Sequence, residues 1–265
     1  MGDFQAVRNY ELAVCMLASG SKGNAIYVTD GHTSVLIDAG LSGKEIQRRM
    51  NSRGLSPESL NGIIVSHEHS DHIQGVGTLS RRFRIPVYMS PKTEGVIGSQ
   101  IGKVFDLHHF QCGTPFSANS LSIHPFSISH DAEDPAGFTL QKNGIKIGVA
   151  TDLGIATAMV KEHLKDATLL VLEANHDPVM LMEGPYPWFL KQRIKGRSGH
   201  LSNEDTKSLL GSVRGARLSH VILAHLSETN NHPDLARKVV GQAVGNQNIR
   251  LSVAAQDQCG ELVIL

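Results

Sequence analysis

One short stretch of the chain, His67-Glu68-His69-Ser70-Asp71-His72, places three imidazoles and the Asp71 carboxylate close together. It follows the apolar run GIIVS and precedes a predicted helix, so it forms a tight loop at the carboxyl end of a buried strand. Burying these groups in an apolar core would carry a large desolvation cost unless hydrogen bonds or coordination satisfied them. His67 and His69 are therefore predicted to bind one metal ion, and Asp71 and His72 a second. A surface loop that is merely rich in histidine is the competing interpretation, which the intervening aspartate disfavours.

Three further predicted ligands lie where apolar β-runs stop. His130 follows FSIS, Asp152 follows GVAT, and His225 follows VILA. Strand ends are the usual location of site residues in α/β sheets, although a single histidine there is more often a hydrogen-bonded boundary residue. Taken as a set, the residues predict two metal shells with one bridging ligand: His67, His69 and His130 on one metal, Asp71, His72 and His225 on the other, and Asp152 between them.

The elements that must position these side chains are predicted to be sheets covered by helices. The first third of the chain has the β-rich runs LAVCMLA, NAIYVT and TSVLIDAG, followed by a helix with apolar positions Ile46 and Met50. Strands and helices then alternate. The later predicted strands are IPVYMS, the run around KVFDLH, LSIHPFSI, GFTLQK, IKIGVATD, TLLVLEAN, HVILAHLS, LSVAAQD and ELVIL; the helices are 155–164, 187–196, 203–214 and 233–243. An α/β fold that forms one domain over residues 1–265 is the simplest account.

The overall charge gives no reason to expect a polyanionic partner, because Lys+Arg and Asp+Glu number 25 each. Nucleic-acid binding would therefore have to be local. Solvated helix faces are the alternative interpretation of the two basic stretches. These stretches are Arg81, Arg82 and Arg84, and Lys191, Arg193, Lys195 and Arg197.

Cys15, Cys112 and Cys259 are odd in number and widely separated, which fits neither a disulfide framework nor a paired-cysteine metal clamp. They are predicted to be reduced thiols, with Cys15 buried in a strand. The amino-terminal segment has no long apolar stretch, and nowhere do eighteen apolar residues run uninterrupted. A cytoplasmic protein that does not enter the membrane is the expectation.

The pattern His-x-His-x-Asp-His, the later His130, Thr151-Asp152 and the late strand-end His225 resemble the five-motif signature of the metallo-β-lactamase superfamily. This resemblance implies a four-layer αββα sandwich with a dinuclear site at one edge. Six segments resemble more closely the YycJ/WalJ branch, which is related to ribonuclease Z and described as 5′–3′ exonucleases, so the resemblance implies DNA or RNA as substrate. These segments are ASGSKGNAIYV, SHEHSDHIQGV, ATDLG, LEANHD, KQRIKGRSGHLSN and LAHLSETNNHP.

The resemblance also assigns roles outside the ligand set. His200 occupies the place of the ribonuclease Z histidine that acts on the phosphate, and Glu173 the place of its supporting carboxylate. His200 is expected to protonate the leaving oxygen or stabilise the transition state. Independently of the resemblance, the predicted ligand Asp71 is expected to orient the attacking water. The competing interpretation makes His200 a mere neighbour of a helix cap, since Ser202 or Asn203 is a predicted N-cap.

Two metal ions that share a water lower its pKa and provide a bridging hydroxide, which suits attack on a phosphodiester. Mixed imidazole and carboxylate ligands favour zinc, with manganese or iron as alternatives. Hydrolysis of a carboxylic ester, thioester or lactone at the same metals stays open, as does a non-catalytic metal-binding regulatory protein. The glycine-rich loop 19–24 is predicted either to approach an anionic substrate or to be a plain hairpin loop. Roles for Asn175, His176 and 229–232 in lining the cleft are unassigned.

Overall fold

The computed structural model describes residues 10–245 and 248–265. The first nine residues of the amino-terminal segment, which has no long apolar stretch, lie outside it. Within the described residues the chain forms fourteen strands and nine α-helices. The strands are β1 (Ala13–Ala18), β2 (Ala25–Thr29), β3 (Ser34–Ile37), β4 (Gly62–Ile64), β5 (Val87–Met89), β6 (Leu107–His109), β7 (Phe116–Ala118), β8 (Leu121–Ser127), β9 (Ala136–Lys142), β10 (Ile145–Ala150), β11 (Leu169–Glu173), β12 (His220–Ala224), β13 (Arg250–Val253) and β14 (Val263–Ile264). The helices are α1 (Gly43–Asn51), α2 (Ser70–Ile73), α3 (Val76–Phe83), α4 (Pro91–Ile97), α5 (Ala158–Leu164), α6 (Pro178–Glu183), α7 (Trp188–Lys195), α8 (Asn203–Val213) and α9 (Pro233–Gly241).

These strands make two mixed sheets. The first has the order β14-β1-β2-β3-β4-β5-β6, antiparallel from β14 to β3 and parallel from β3 to β6. The second has the order β13-β12-β11-β10-β9-β8-β7, parallel from β13 to β10 and antiparallel beyond. Strand β8 is antiparallel to β9, which is antiparallel to β10, so β8 and β10 run in the same direction. Their carboxyl ends therefore lie at the same edge.

Three hydrophobic layers hold the sheets and helices together. Alternate residues of β1 point to opposite faces, so Val14 and Met16 pack between the two sheets while Cys15 and Leu17 pack outward. Helices α1, α3 and α4 cover the outer face of the first sheet, and α5, α8 and α9 cover that of the second. The predicted α/β fold with an αββα sandwich is therefore confirmed. Because both faces are buried, these strands are continuous apolar runs rather than alternating ones.

Helix limits differ from the prediction in ways that local chemistry explains. The helix predicted over 155–164 begins at Ala158, since the Thr157 side chain accepts a hydrogen bond from Val160 N and caps it there. Helices α4 and α6 were not predicted, although each begins with a capping residue followed by proline. The apolar face predicted for α1 is confirmed, with Ile46 and Met50 fully buried.

Cys15 is fully buried in β1, as predicted, and all three cysteines are free thiols. None of the helices in residues 10–245 and 248–265 combines the length and the apolar character needed to cross a lipid bilayer.

Candidate metal centre

Three of the residues at this site adopt left-handed backbone conformations just after a strand. Asp38 follows β3 with φ of 61°, Asp152 follows β10 with φ of 58°, and His225 follows β12 with φ of 54°. A residue with a side chain pays roughly 1–2 kcal/mol for this conformation, which persists only where the surrounding structure enforces it. The sharp turns direct these side chains toward the loop that follows β4.

The first cluster joins that loop to the end of β8. His67 Nε2 lies 3.1 Å from His69 Nδ1, and His69 Nδ1 lies 3.3 Å from His130 Nε2. The His67 and His130 side chains are almost completely buried. One ring nitrogen from each of the three histidines lies within 4.8 Å of the other two. Three imidazoles that face one point in this way are suited to hold one metal ion.

The second cluster contains Asp71, His72 and His225. Asp71 Oδ2 lies 3.4 Å from His72 Nε2 and 3.7 Å from His225 Nε2. Asp152 lies between the two clusters: its Oδ2 is 3.5 Å from His72 Nε2, and its Oδ1 is 3.5 Å from His225 Nε2 and 3.9 Å from His130 Nε2. The structure thus brings together all seven residues predicted to be ligands, in the two groups expected from the sequence.

Hydrogen bonds from Nδ1 of His67 and of His72 leave Nε2 of each ring facing the ligand-type side chains. Asp38 Oδ2 accepts from His72 Nδ1 at 2.8 Å and from the Ser66 hydroxyl at 2.8 Å. The Ser66 oxygen in turn accepts from His67 Nδ1 at 2.9 Å. With Nδ1 protonated, the Nε2 lone pairs of His67 and His72 are free for coordination. Neither Asp38 nor Ser66 was predicted as a site residue, although Asp38 follows an apolar strand just as His130 does.

Glu173 plays the corresponding part for His225, by accepting a hydrogen bond from its Nδ1 atom. This fully buried carboxylate accepts from His200 Nδ1 at 2.6 Å and His225 Nδ1 at 3.1 Å with Oε1, and from the backbone N–H of Leu153 at 2.9 Å and of Leu201 at 3.1 Å with Oε2. Burial raises the pKa of Glu173, but His200 and then His225 outweigh it and lower the pKa to about 2. Glu173 is thus an anion, and each of its oxygens accepts from two protein donors. One of these oxygens also lies within 4.8 Å of ligand-type atoms of Asp152, His200 and His225.

The donor set fits divalent cations. Two buried atoms in its centre, Asp152 Oδ2 and His225 Nε2, have no hydrogen-bond partner among the described residues. Burial raises the pKa of Asp152 and lowers that of His225, but their mutual attraction reverses both shifts. The Asp152 pKa falls well below its usual range, and the His225 pKa rises to about 10, with Asp71 and Glu173 contributing. A buried carboxylate oxygen without a donor, beside a histidine in a negative potential, is what a bound cation would satisfy.

His200 lies beside the ligand cluster, with its ring centroid 5.3 Å from that of His130 and 5.1 Å from that of His225. Burial lowers the pKa of His200, but the adjacent Glu173 carboxylate outweighs it and raises the pKa. Ser202 is the N-cap of α8, in a capping box with Asp205. The cap and the His200–Glu173 pair thus coexist, so the capping role of Ser202 leaves the His200 imidazole available.

Loop 19–24 contacts the second cluster directly. Asn24 Nδ2 donates to Asp71 Oδ2 at 3.2 Å and lies 3.2 Å from His72 Nε2, while Ser19 Oγ accepts from His225 N at 2.7 Å. Gly40 packs against the same region, where a Cβ atom would lie 1.6 Å from the carbonyl oxygen of Asp71. Only glycine fits that close approach, so this loop and the β3–α1 connection hold the ligand loop in position.

Other predicted cleft residues have structural contacts. Asn231 is buried and donates to Ala174 O at 2.8 Å, which braces the β11 end rather than the cleft. His176 is buried beside His200. The solvated-face interpretation is wrong for Lys191, which is buried and donates to Met182 O at 2.7 Å.

An αββα sandwich with a histidine and carboxylate cluster at the shared edge of its sheets defines the class of metallo-β-lactamase-fold proteins. Residues 33–225 match the family model described as Beta-lactamase superfamily domain. The chain is 38% identical to "Exodeoxyribonuclease YycJ" of Bacillus anthracis over 86% of this chain and 88% of that protein. It is 36% identical to "Exodeoxyribonuclease WalJ" of Streptococcus pneumoniae over 90% of each.

Among solved structures, YhfI from Bacillus subtilis, a metallo-β-lactamase fold protein, superimposes with a TM-score of 0.74 at 16% identity, over 94% of this chain and 98% of that one. The chain belongs to the beta-lactamase superfamily, in the family of the YycJ and WalJ proteins.

Proposed function

We propose that the protein is a metal-dependent phosphodiesterase that acts on nucleic acid as an exonuclease, with 5′–3′ polarity. The observation that carries the proposal is the convergence of seven ligand-type side chains, five of them buried, next to His200, which is itself held by a buried carboxylate. The names of the YycJ and WalJ relatives support DNA as the substrate. A single domain over residues 1–265 and a cytoplasmic location remain part of the proposal, the latter supported by the free thiols.

His67, His69 and His130 would hold one cation, Asp71, His72 and His225 the other, and Asp152 both. When bound, two divalent cations supply positive charge against the phosphate oxygens and lower the pKa of water. Zinc suits the five imidazoles best, with manganese or iron as alternatives.

The side chains of Glu173, His200 and Asp71 would orient the reacting groups and transfer protons. Glu173 holds His200 Nδ1, so the opposite nitrogen, Nε2, is free to meet the leaving oxygen of a phosphodiester. The Glu173 carboxylate raises the pKa of His200, which favours a proton on this imidazole, and general acid catalysis of this kind contributes about 10²–10⁴-fold. Asp71 has the most exposed carboxylate among the proposed ligands, with 21% of its side chain accessible, so it is placed to orient the attacking water.

Metal-loaded protein incubated with end-labelled single- and double-stranded DNA and RNA tests the proposal, beside a thioester and a lactone panel. Release of mononucleotides from one end is expected. Turnover of the thioester or lactone alone would replace the nuclease assignment with carboxylic ester hydrolysis, and no turnover of any substrate would favour a non-catalytic protein.

A histidine substitution tests the role of His200 separately. His200→Ala should lower turnover by about 10²–10⁴-fold while metal content stays unchanged. His108→Ala is the matched control, because His108 is exposed and pairs with Asp106 away from the ligand set. Wild-type turnover of His200→Ala with full metal content would end this assignment.

A further inference from the structure

The segment from α6 to α7 exposes large apolar side chains. Four of the eight such side chains that the described residues expose lie here: Val179, Met182, Trp188 and Phe189. Trp188 is 63% exposed and Phe189 is 74% exposed. Large apolar side chains exposed on a protein surface mark interaction sites, and Phe189 has the largest exposed fraction of the eight.

The same segment is strongly basic. Residues 184–203 contain four lysines and arginines and no aspartate or glutamate, whereas the whole chain has a net charge of +0. Arg193, Lys195 and Arg197 are exposed. Aromatic side chains interleaved with cations are typical of surfaces that bind single-stranded nucleic acid.

A cavity of about 250 Å³ is lined by α7 on one side and by His200 on the other. On the α7 side, Tyr186, Leu190 and Ile194 form a largely apolar wall, while His200 and Asn175 lie on the polar side. A nucleotide seated against this wall would place its phosphate next to His200 and the ligand cluster.

The helical geometry of α7 puts its two exposed aromatic residues on different sides. Leu190, Arg193 and Ile194 share the cavity face, in the i, i+3, i+4 pattern. Phe189 lies one turn before Arg193 and therefore at the rim of that face. Trp188 is two residues before Leu190, which places it on the opposite side of the helix.

Two contacts hold α7 in place over the site. Arg193 Nε donates to Asp131 Oδ2 at 2.6 Å, and Asp131 directly follows His130. On the other side, Lys191 Nζ donates to Met182 O at 2.7 Å and joins α7 to α6. The exposed ring of Phe189 therefore stands on a helix that is fixed relative to the ligand cluster.

We propose that α7 is a binding platform for single-stranded nucleic acid, with a base stacked on Phe189 and the strand phosphates attracted by Arg193 and Arg197. The proposal rests on the proposed nuclease function and names the form of its substrate. In a duplex the faces of the internal bases are covered by neighbouring base pairs, and only the terminal pair offers a face. An unpaired strand offers a base face to an aromatic ring at every position.

The test measures affinity of the metal-loaded protein by fluorescence anisotropy. The probe is a labelled phosphorothioate oligothymidylate, which resists hydrolysis, and an abasic phosphorothioate strand of equal length is the comparison. Phe189→Ala should raise Kd for oligothymidylate by roughly 5- to 150-fold, the equivalent of one stacked base. It should leave Kd for the abasic strand unchanged, and Trp188→Ala should leave both unchanged.

Three results would overturn the proposal: unchanged affinity of Phe189→Ala, an equal loss on the abasic strand, or an equal loss in Trp188→Ala. The proposed function is checked separately, by hydrolysis of bis(p-nitrophenyl) phosphate by the wild-type protein. Absence of that hydrolysis with the Phe189→Ala effect intact would contradict the nuclease function and still support the binding surface.

Discussion

Replacing Glu173 with glutamine tests whether this carboxylate prepares His225 for metal binding. The carboxylate accepts from four donors, two on each oxygen. A glutamine amide has one oxygen, so two of the four donors must meet its NH2 group. The backbone N–H groups of Leu153 and Leu201 cannot change protonation, and the amide oxygen must face them. The NH2 group therefore faces the Nδ1 atoms of His200 and His225.

Each imidazole can accept that bond only by moving its proton to Nε2. In His225, Nε2 is the proposed ligand atom, so metal binding would have to reverse the tautomer and lose the new hydrogen bond. The variant also lacks the wild-type bond from His225 Nδ1 to the charged Glu173 carboxylate. A hydrogen bond to a charged group contributes about 1.5–3 kcal/mol, which corresponds to roughly 10- to 150-fold in metal affinity. Losses of this size are typical when a group that orients a metal-binding histidine is removed.

Competition with a chromophoric chelator measures the metal affinity of Glu173→Gln. Glu162→Gln is the matched control, because Glu162 is exposed and pairs only with Lys165 on the surface of α5. Circular dichroism of the chelator-treated variants establishes that the fold is retained. Wild-type metal affinity in a folded Glu173→Gln protein would refute the tautomer argument.

Three further outcomes are expected. Asp38→Asn should lower metal affinity by about 10- to 100-fold in the same chelator competition, because it weakens the acceptor of a ligand histidine; an unchanged affinity would contradict this. Cys259 should be alkylated faster than Cys112 at neutral pH by mass spectrometry, since hydrogen bonding from Cys15 lowers the Cys259 pKa to about 6 while burial raises that of Cys112. Burial raises the pKa of Asp30, but hydrogen bonds outweigh it and lower the pKa to about 2. The stabilisation by Asp30 is therefore full above its unfolded pKa of about 4 and is lost as pH falls toward 2; urea unfolding of Asp30→Asn should differ from wild type at neutral pH and converge with it in acid.

The ligand candidates were accessible from sequence because four metal-binding residues cluster within six positions after an apolar strand and three more lie at the ends of other strands. Asp38 also follows an apolar strand, but it was overlooked because it lies outside every motif that carried the family resemblance. Its contact with His72 depends on the parallel pairing of β3 with β4, in which Ile37 is opposite Ile64. Such pairing joins residues distant in the chain, and periodicity does not encode it.

Which side chains of α7 are buried and which are exposed could likewise not be predicted from the sequence. Its basic residues were visible, but Lys191 is buried and Arg193 is paired, whereas the neighbouring aromatic rings are exposed. Hydrophobic residue types predict burial by default, so an exposed phenylalanine is recognised only when tertiary packing is known. Roles for His200, Glu173 and Asp71 in catalysis stay predictions.

Anomalous scattering from crystals of metal-loaded protein tests the central claim most directly. Two peaks are expected about 3.5–4 Å apart, one next to His67, His69 and His130, the other next to Asp71, His72 and His225, with Asp152 touching both. Absence of metal from this cluster, or metal bound elsewhere on the chain, would contradict the proposed hydrolytic centre.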